Sequence, residues 1–134
     1  MKYLLDTNVC IAWLRGKSAL VKARFTAHLP AELVVCPFVV GELCVGAAKS
    51  KRAATEQLRV DTFLALYSSV PFEDLAARKY AEVRAYLESL GTPIGEFDLS
   101  IASIALVHNF TVVTHNTAEF SRVPGLALDD WEVP

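Results

Sequence analysis

The sequence predicts an α/β fold with a mainly parallel sheet flanked by helices, and three features lead there. Short aliphatic or β-branched runs at 2–5, 33–36 and 111–114 alternate with longer stretches of helical periodicity, the order that builds a parallel sheet. With 53% hydrophobic residues and a mean hydropathy of +0.34, the chain has enough apolar surface for a core of its own. Gly and Pro are few, and no linker, internal repeat or low-complexity tract divides the 134 residues, so one domain over 1–134 is expected.

The elements follow in order. Residues 2–5 read as a short buried strand, 8–14 as a helix packed on the core and 18–28 as a second helix broken by Pro30. Residues 33–36 are β-branched and form the second strand. Pro37 suits the first position of a helix over 38–48, where a missing N–H does no harm. The basic stretch Lys49, Ser50, Lys51, Arg52 separates that helix from one over 53–67, and 69–71 is a brief strand. Ala76, Tyr80, Val83, Leu87 and Leu90 recur at spacings of four and three, which marks a helix over 75–90. Glu73 and Asp74 complement its positive end, and Gly91 and Pro93 stop it. A helix over 99–107 is apolar almost all round and belongs inside. A strand at 111–114, a short helical turn near Glu119 and an edge strand at 126–129 complete the chain.

Composition excludes several classes. No run of about 18 apolar residues occurs, so no membrane span is expected. The first residues lack the pattern of a signal peptide. Cys10, Cys36 and Cys44 show no C-x-x-C spacing and lie in apolar runs, which argues against disulfides or zinc and for a reducing, cytoplasmic setting. A net charge of −2 and a pI near 5.9 exclude a general basic surface for nucleic acid. Any grip on phosphate is local or runs through a cation.

Several acids sit where apolar residues surround them. Asp6 follows the first strand and precedes a helix; it is either an N-cap, accepting from the N–H of Asn8 or Val9, or part of a site at a strand's carboxyl end. Glu42 stands within Phe38-Val39-Val40-Gly41-Glu42-Leu43, where a charge needs a partner or an escape to the surface. Gly41 beside it costs a helix about 1 kcal/mol relative to Ala, which a close approach to something else explains. Asp98 precedes the buried helix and reads as its N-cap, with Glu96 in the loop before it. His115 and Asn116 follow the 111–114 strand in what reads as a turn, with His115 at the surface. The ends of parallel strands share one edge of the sheet, so Asp6, Glu42, Asp98 and the segment after Thr114 converge. Two carboxylates about 4 Å apart repel by roughly 4 kcal/mol at an effective dielectric of 20. A cation that offsets this, held by hard oxygen ligands with open water positions, is Mg²⁺ or Mn²⁺.

Taken together, "LLDTN" at the start, "VGEL" around Glu42, "GEFDLSIASIAL" around Asp98 and "TVVTHNTAEFSRVPGL" near the end resemble the PIN-domain ribonucleases, specifically the VapC toxins of bacterial toxin–antitoxin pairs. The likeness runs end to end. It implies a three-layer α/β/α fold and metal-dependent hydrolysis of RNA to 5′-phosphate and 3′-hydroxyl ends, with transfer RNA among the family's substrates. It implies Asp6, Glu42 and Asp98 as metal ligands and essential acids. The family's fourth position, often acidic, is Asn116 here, so that place falls either to Asn116 or to Glu119 one turn further on. On this reading Thr7 and Thr114 orient a water or a phosphate oxygen, and Asn8 holds the neighbouring carboxylates in place. RNA contacts are expected from a groove flanked by Arg15, Lys17, Lys22 and Arg24 and by Lys49, Lys51 and Arg52, although any one of these taken alone reads first as solvated charge. The family also implies a homodimer and a DNA-binding, VapB-like antitoxin that carries the complex onto operator DNA. Phe63, Leu64 and Tyr67 are apolar candidates for such contacts or for the core.

Rival readings are weaker. A haloacid-dehalogenase phosphatase needs a second acid two residues after the first, where Asn8 stands, and a receiver domain needs Asp where Cys36 ends the second strand. A PIN domain with weak catalysis, serving as an RNA- or protein-binding module, is the remaining alternative.

Overall fold

A computed structural model describes residues 2–134. Its centre is a five-stranded sheet in the order β3-β2-β1-β4-β5, with β1 at Tyr3–Leu5, β2 at Leu33–Val35, β3 at Ser68–Ser69, β4 at Thr111–Val113 and β5 at Ala127–Asp129. Every pair is parallel; Tyr3 sits opposite both Leu33 and Thr111. Leu4, Leu5 and all of β2 and β4 are buried, as strands covered on both faces must be.

The helices are α1 (Thr7–Arg15), α2 (Ala19–Thr26), α3 (Pro37–Ala48), α4 (Ala53–Leu64), α5 (Asp74–Ser89), α6 (Glu96–His108) and α7 (Thr117–Phe120). From β1 the chain steps outward to β2 and β3, then returns past β1 to β4 and β5. Right-handed crossovers therefore put α1 to α4 on one face and α5 to α7 on the other. The packing agrees: α3 lies on α4 and α1 on α2, while α5 lies on α6 and α6 on α7. The direction reverses between β1 and β4, and at such a reversal the loops leaving the carboxyl ends diverge and open a crevice.

Local chemistry sets the boundaries. Pro37 opens α3 as expected. Gly91, at φ +71°, ends α5, and the Thr92 N–H reaches back to the Leu87 carbonyl at 3.0 Å. Leu99 to Ala105 of α6 are buried, and the Ser100 and Ser103 hydroxyls donate to the carbonyls of Glu96 and Leu99, so neither is left unpaired. At the C-terminus Trp131 is buried, stacked on His28, with its indole N–H on Asp129.

Three boundaries differ from the sequence reading, and one open choice is resolved. Helix α4 stops at Leu64, three residues early, in tight turns through Tyr67. Strand β3 ends at Ser69 because the Val70 N–H makes the last bond to β2 and Pro71 has none to offer. Helix α6 starts at Glu96, its first bond running from the Leu99 N–H to the Gly95 carbonyl. Phe63 is core, and Leu64 and Tyr67 pack against it rather than standing free.

Candidate active site

Asp6 leaves β1 in an extended conformation and heads α1. Its backbone N–H bonds the Val113 carbonyl at 3.0 Å, which carries the β1–β4 pairing one residue past the strand and sets Asp6 beside Thr114. Oδ1 accepts the Thr7 N–H and Oδ2 accepts the Thr114 hydroxyl, each at 2.8 Å. The cap bond comes from Thr7, not from Asn8 or Val9. Asp6 is 5% exposed, the one charged side chain among the described residues that is buried outright. Burial pushes its carboxyl above the usual value; the bonds from Thr114 and Thr7 pull it back, and nearby Glu42 adds to the rise.

Glu42 projects from the second turn of α3, where the Thr7 hydroxyl donates to its Oε1 at 2.9 Å. Asp98 lies inside the first turn of α6 and caps nothing; Gly95 holds the N-cap position, because the helix opens three residues before the expected start. Asp98 is pushed up to about 7, first by burial, then by a hydrogen bond shared with Glu119 and by the charges of Asp6 and Glu119. Asn116 works the other way: its amide nitrogen donates to Asp98 Oδ2 at 3.1 Å and to Glu119 Oε2 at 3.2 Å. Thus Asp6, Glu42, Asp98 and Glu119, from four separate segments, meet around the crevice between β1 and β4.

Two further expectations fail. Asn8 is exposed and makes none of the bonds that hold these carboxylates; Thr7 and Thr114 make them, since the turn of α1 carries residue 8 outward. Gly41 is not kept by close packing, for a Cβ built there meets nothing within 4 Å. It lines an open apolar groove with Phe38, Val45 and Phe97, immediately beside Glu42. His115 is exposed as expected, paired to Asp130 at 2.9 Å.

The donor set fits a hard divalent ion. All four acids offer oxygen, and Asp98 resists ionisation first because it is buried and then because other acids crowd it, a cost that a cation offsets. The acids are not drawn into a closed cage: among the described residues, the only three metal-ligating groups with ligand atoms within 4.8 Å of one another are His115, Asp130 and Glu132, at the surface. An open arrangement leaves room around a divalent ion for waters and for oxygens of another molecule.

The PIN-domain family model matches residues 3–126. The chain belongs to the PIN-domain family. Among its relatives, a tRNA(fMet)-specific endonuclease VapC of Shigella flexneri is 34% identical over 131 residues, covering 98% of each chain. Ribonuclease VapC2 of Rickettsia felis is 34% identical over 140 residues, covering 98% of this chain and 99% of that one. In structure, VapBC2 from Rickettsia felis bound to a DNA fragment from its promoter matches with a TM-score of 0.89 at 34% identity, over 98% of this chain and 99% of that chain. DNA-bound VapBC from Salmonella typhimurium matches with a TM-score of 0.91 at 32% identity, over 98% of each.

Around the acids of this VapC-type PIN domain, the basic residues divide. Arg15 lines a cleft of about 300 Å³ between α1, α3 and α4 that reaches Glu42, with Ser50 at its far wall. Lys49, Lys51 and Arg52 flank Ser50, and Lys17 and Lys22 are exposed outside the cleft lining. Arg24 is paired to Asp129 at 3.2 Å and is not free for phosphate. Arg59 lines the same cleft, held by Glu56 and by the Leu14 carbonyl. In sequence it is one charge on an amphipathic helix, and only the packing of α4 against α3 gives it away.

Proposed function

We propose that this PIN domain is the toxin of a toxin–antitoxin pair, an Mg²⁺- or Mn²⁺-dependent endoribonuclease that cuts RNA and so inhibits translation. The observation that carries the reading is the meeting of Asp6, Glu42, Asp98 and Glu119 at the carboxyl ends of β1 and β4, with Asp98 raised to about 7. Asp6, Glu42 and Asp98 would hold the ion, which when bound would activate water and neutralise phosphate charge. Thr114 and Thr7 fix the rotamers of Asp6 and Glu42, so the ligands are set before the ion arrives. Arg15, with Lys49, Lys51 and Arg52 near Ser50, receives the RNA backbone along the cleft, which accounts for RNA binding by a chain of net charge −2.

The relatives named as tRNA(fMet)-specific endonucleases make transfer RNA the first substrate to test. The VapBC complexes make a VapB-like antitoxin the expected partner, bringing a toxin homodimer to operator DNA. An apolar groove with exposed Leu58 and Leu66, joined to the cleft through Leu14 and Arg59, offers it a surface. Three free thiols suit a cytoplasmic setting. Among the described residues no helix is long and apolar enough to cross a membrane.

Brief expression followed by mapping of cut sites across cellular RNA tests the activity and its substrate together. New 5′-phosphate ends at a few positions in transfer RNA, absent when the antitoxin is co-expressed, are expected. An unchanged RNA population, with purified protein that binds RNA but leaves it whole in Mg²⁺, would identify a binding module instead.

A further inference from the structure

Position 116 is where an additional acid is expected, and it holds an amide. The structure gives that amide a definite job. Its NH₂ group stands between two carboxylates, 3.1 Å from Asp98 Oδ2 and 3.2 Å from Glu119 Oε2. The orientation is forced, because the carbonyl end of the amide turned that way would face two acceptors. The same residue reaches the other half of the site through its backbone: the Asn116 N–H donates to Thr114 Oγ1 at 3.0 Å, and that hydroxyl donates to Asp6 Oδ2 at 2.8 Å. One residue thus joins the acid of β1, the acid of α6 and the acid of α7. An aspartate here would supply no proton to either neighbour and would add a further negative charge to a pair already in contact.

We propose that Asn116 is a positioning residue, an amide brace that sets Asp98 and Glu119 against each other in the ion site. The proposal rests on the metal-dependent reading above. Two hydrogen bonds from one donor hold both carboxylates in a single rotamer pair, and bonds of this kind to ligating carboxylates are typically worth about 10–100-fold in metal affinity. Asn116 stands at the N-cap of α7 and Glu119 is that helix's third residue, so the amide and the acid it braces come from one short turn of chain.

Mn²⁺ titration of the full chain by calorimetry tests this, with thermal melts to confirm folding. Asn116→Ala, which keeps the backbone N–H to Thr114, is expected to weaken Mn²⁺ binding at least tenfold, and Asn116→Asp is expected not to restore it despite its added charge. Glu119→Gln is expected to weaken binding to a similar degree. Adding Asn116→Ala to Glu119→Gln should then cost clearly less than it does in the wild type, the non-additivity that marks action through a shared partner. Binding by Asn116→Asp as tight as or tighter than wild type would make residue 116 a direct ligand and overturn the brace. Full additivity, or no loss in Asn116→Ala, would overturn it as well, while leaving the ribonuclease reading intact. A folded wild type that binds no Mn²⁺ would overturn that reading, and the brace with it.

Discussion

Asp98 shows how one side chain links site to stability. Its ordinary value is 3.8, and in the folded protein it is raised to about 7. Between those limits the folded state keeps a proton that the unfolded chain has released. The folded state therefore binds more protons, and the metal-free protein loses stability as pH rises through that window. Asp6 and His115 are raised too and act in the same direction. In EDTA, the protein should melt at a higher temperature at pH 5.5 than at pH 8, and Asp98→Asn should shrink that difference while stabilising the protein at pH 8. A melting temperature that climbs with pH in both proteins would contradict the reading. The acids themselves were legible because Asp6, Glu42 and Asp98 each interrupt an apolar run. What holds them was less so. Asn8 and Thr7 are adjacent in sequence, and only the phase of α1 decides that the threonine turns inward while the asparagine meets solvent.

At the scale of elements, two glycines separate backbone need from open space. Gly91 ends α5 in the left-handed region, so Gly91→Ala should destabilise the protein by about 1 kcal/mol. Gly41 lies inside α3 with nothing within 4 Å of an added Cβ, so Gly41→Ala should stabilise by about 1 kcal/mol. Chemical denaturation of the two variants checks both signs. Opposite signs would mean that the groove beside Glu42 closes or that the α5 terminus tolerates a side chain. Helix α5 was readable nearly to its ends because its apolar residues recur at helical spacing and Gly91 stops it. The start of α6 was not, because an acid at 98 resembles a cap, and only the bond from the Leu99 N–H to Gly95 shows that the helix has already begun.

For the whole molecule, the strand order matters most. The chain turns back between β1 and β4, and the acids gather where it does so. Sequence pattern predicted parallel strands but not their order, which depends on pairings such as Tyr3 with Thr111 that no local signal announces. The same packing brings Arg15 and Arg59 into one cleft from helices far apart in sequence. Arg15→Ala should weaken RNA binding across sequences and flatten its salt dependence by about one unit of log–log slope; a slope equal to wild type would place the RNA elsewhere. The central claim, that the gathered acids cut RNA by holding a divalent ion, meets its most direct test in one assay. Purified wild type, Asp6→Asn and Asp98→Asn are incubated with end-labelled transfer RNA in Mg²⁺ and in EDTA. The account predicts cleavage by wild type in Mg²⁺ alone, leaving 5′-phosphate and 3′-hydroxyl ends, with both variants folded and inactive. Cleavage at the wild-type rate by either variant, or by wild type in EDTA, would contradict it.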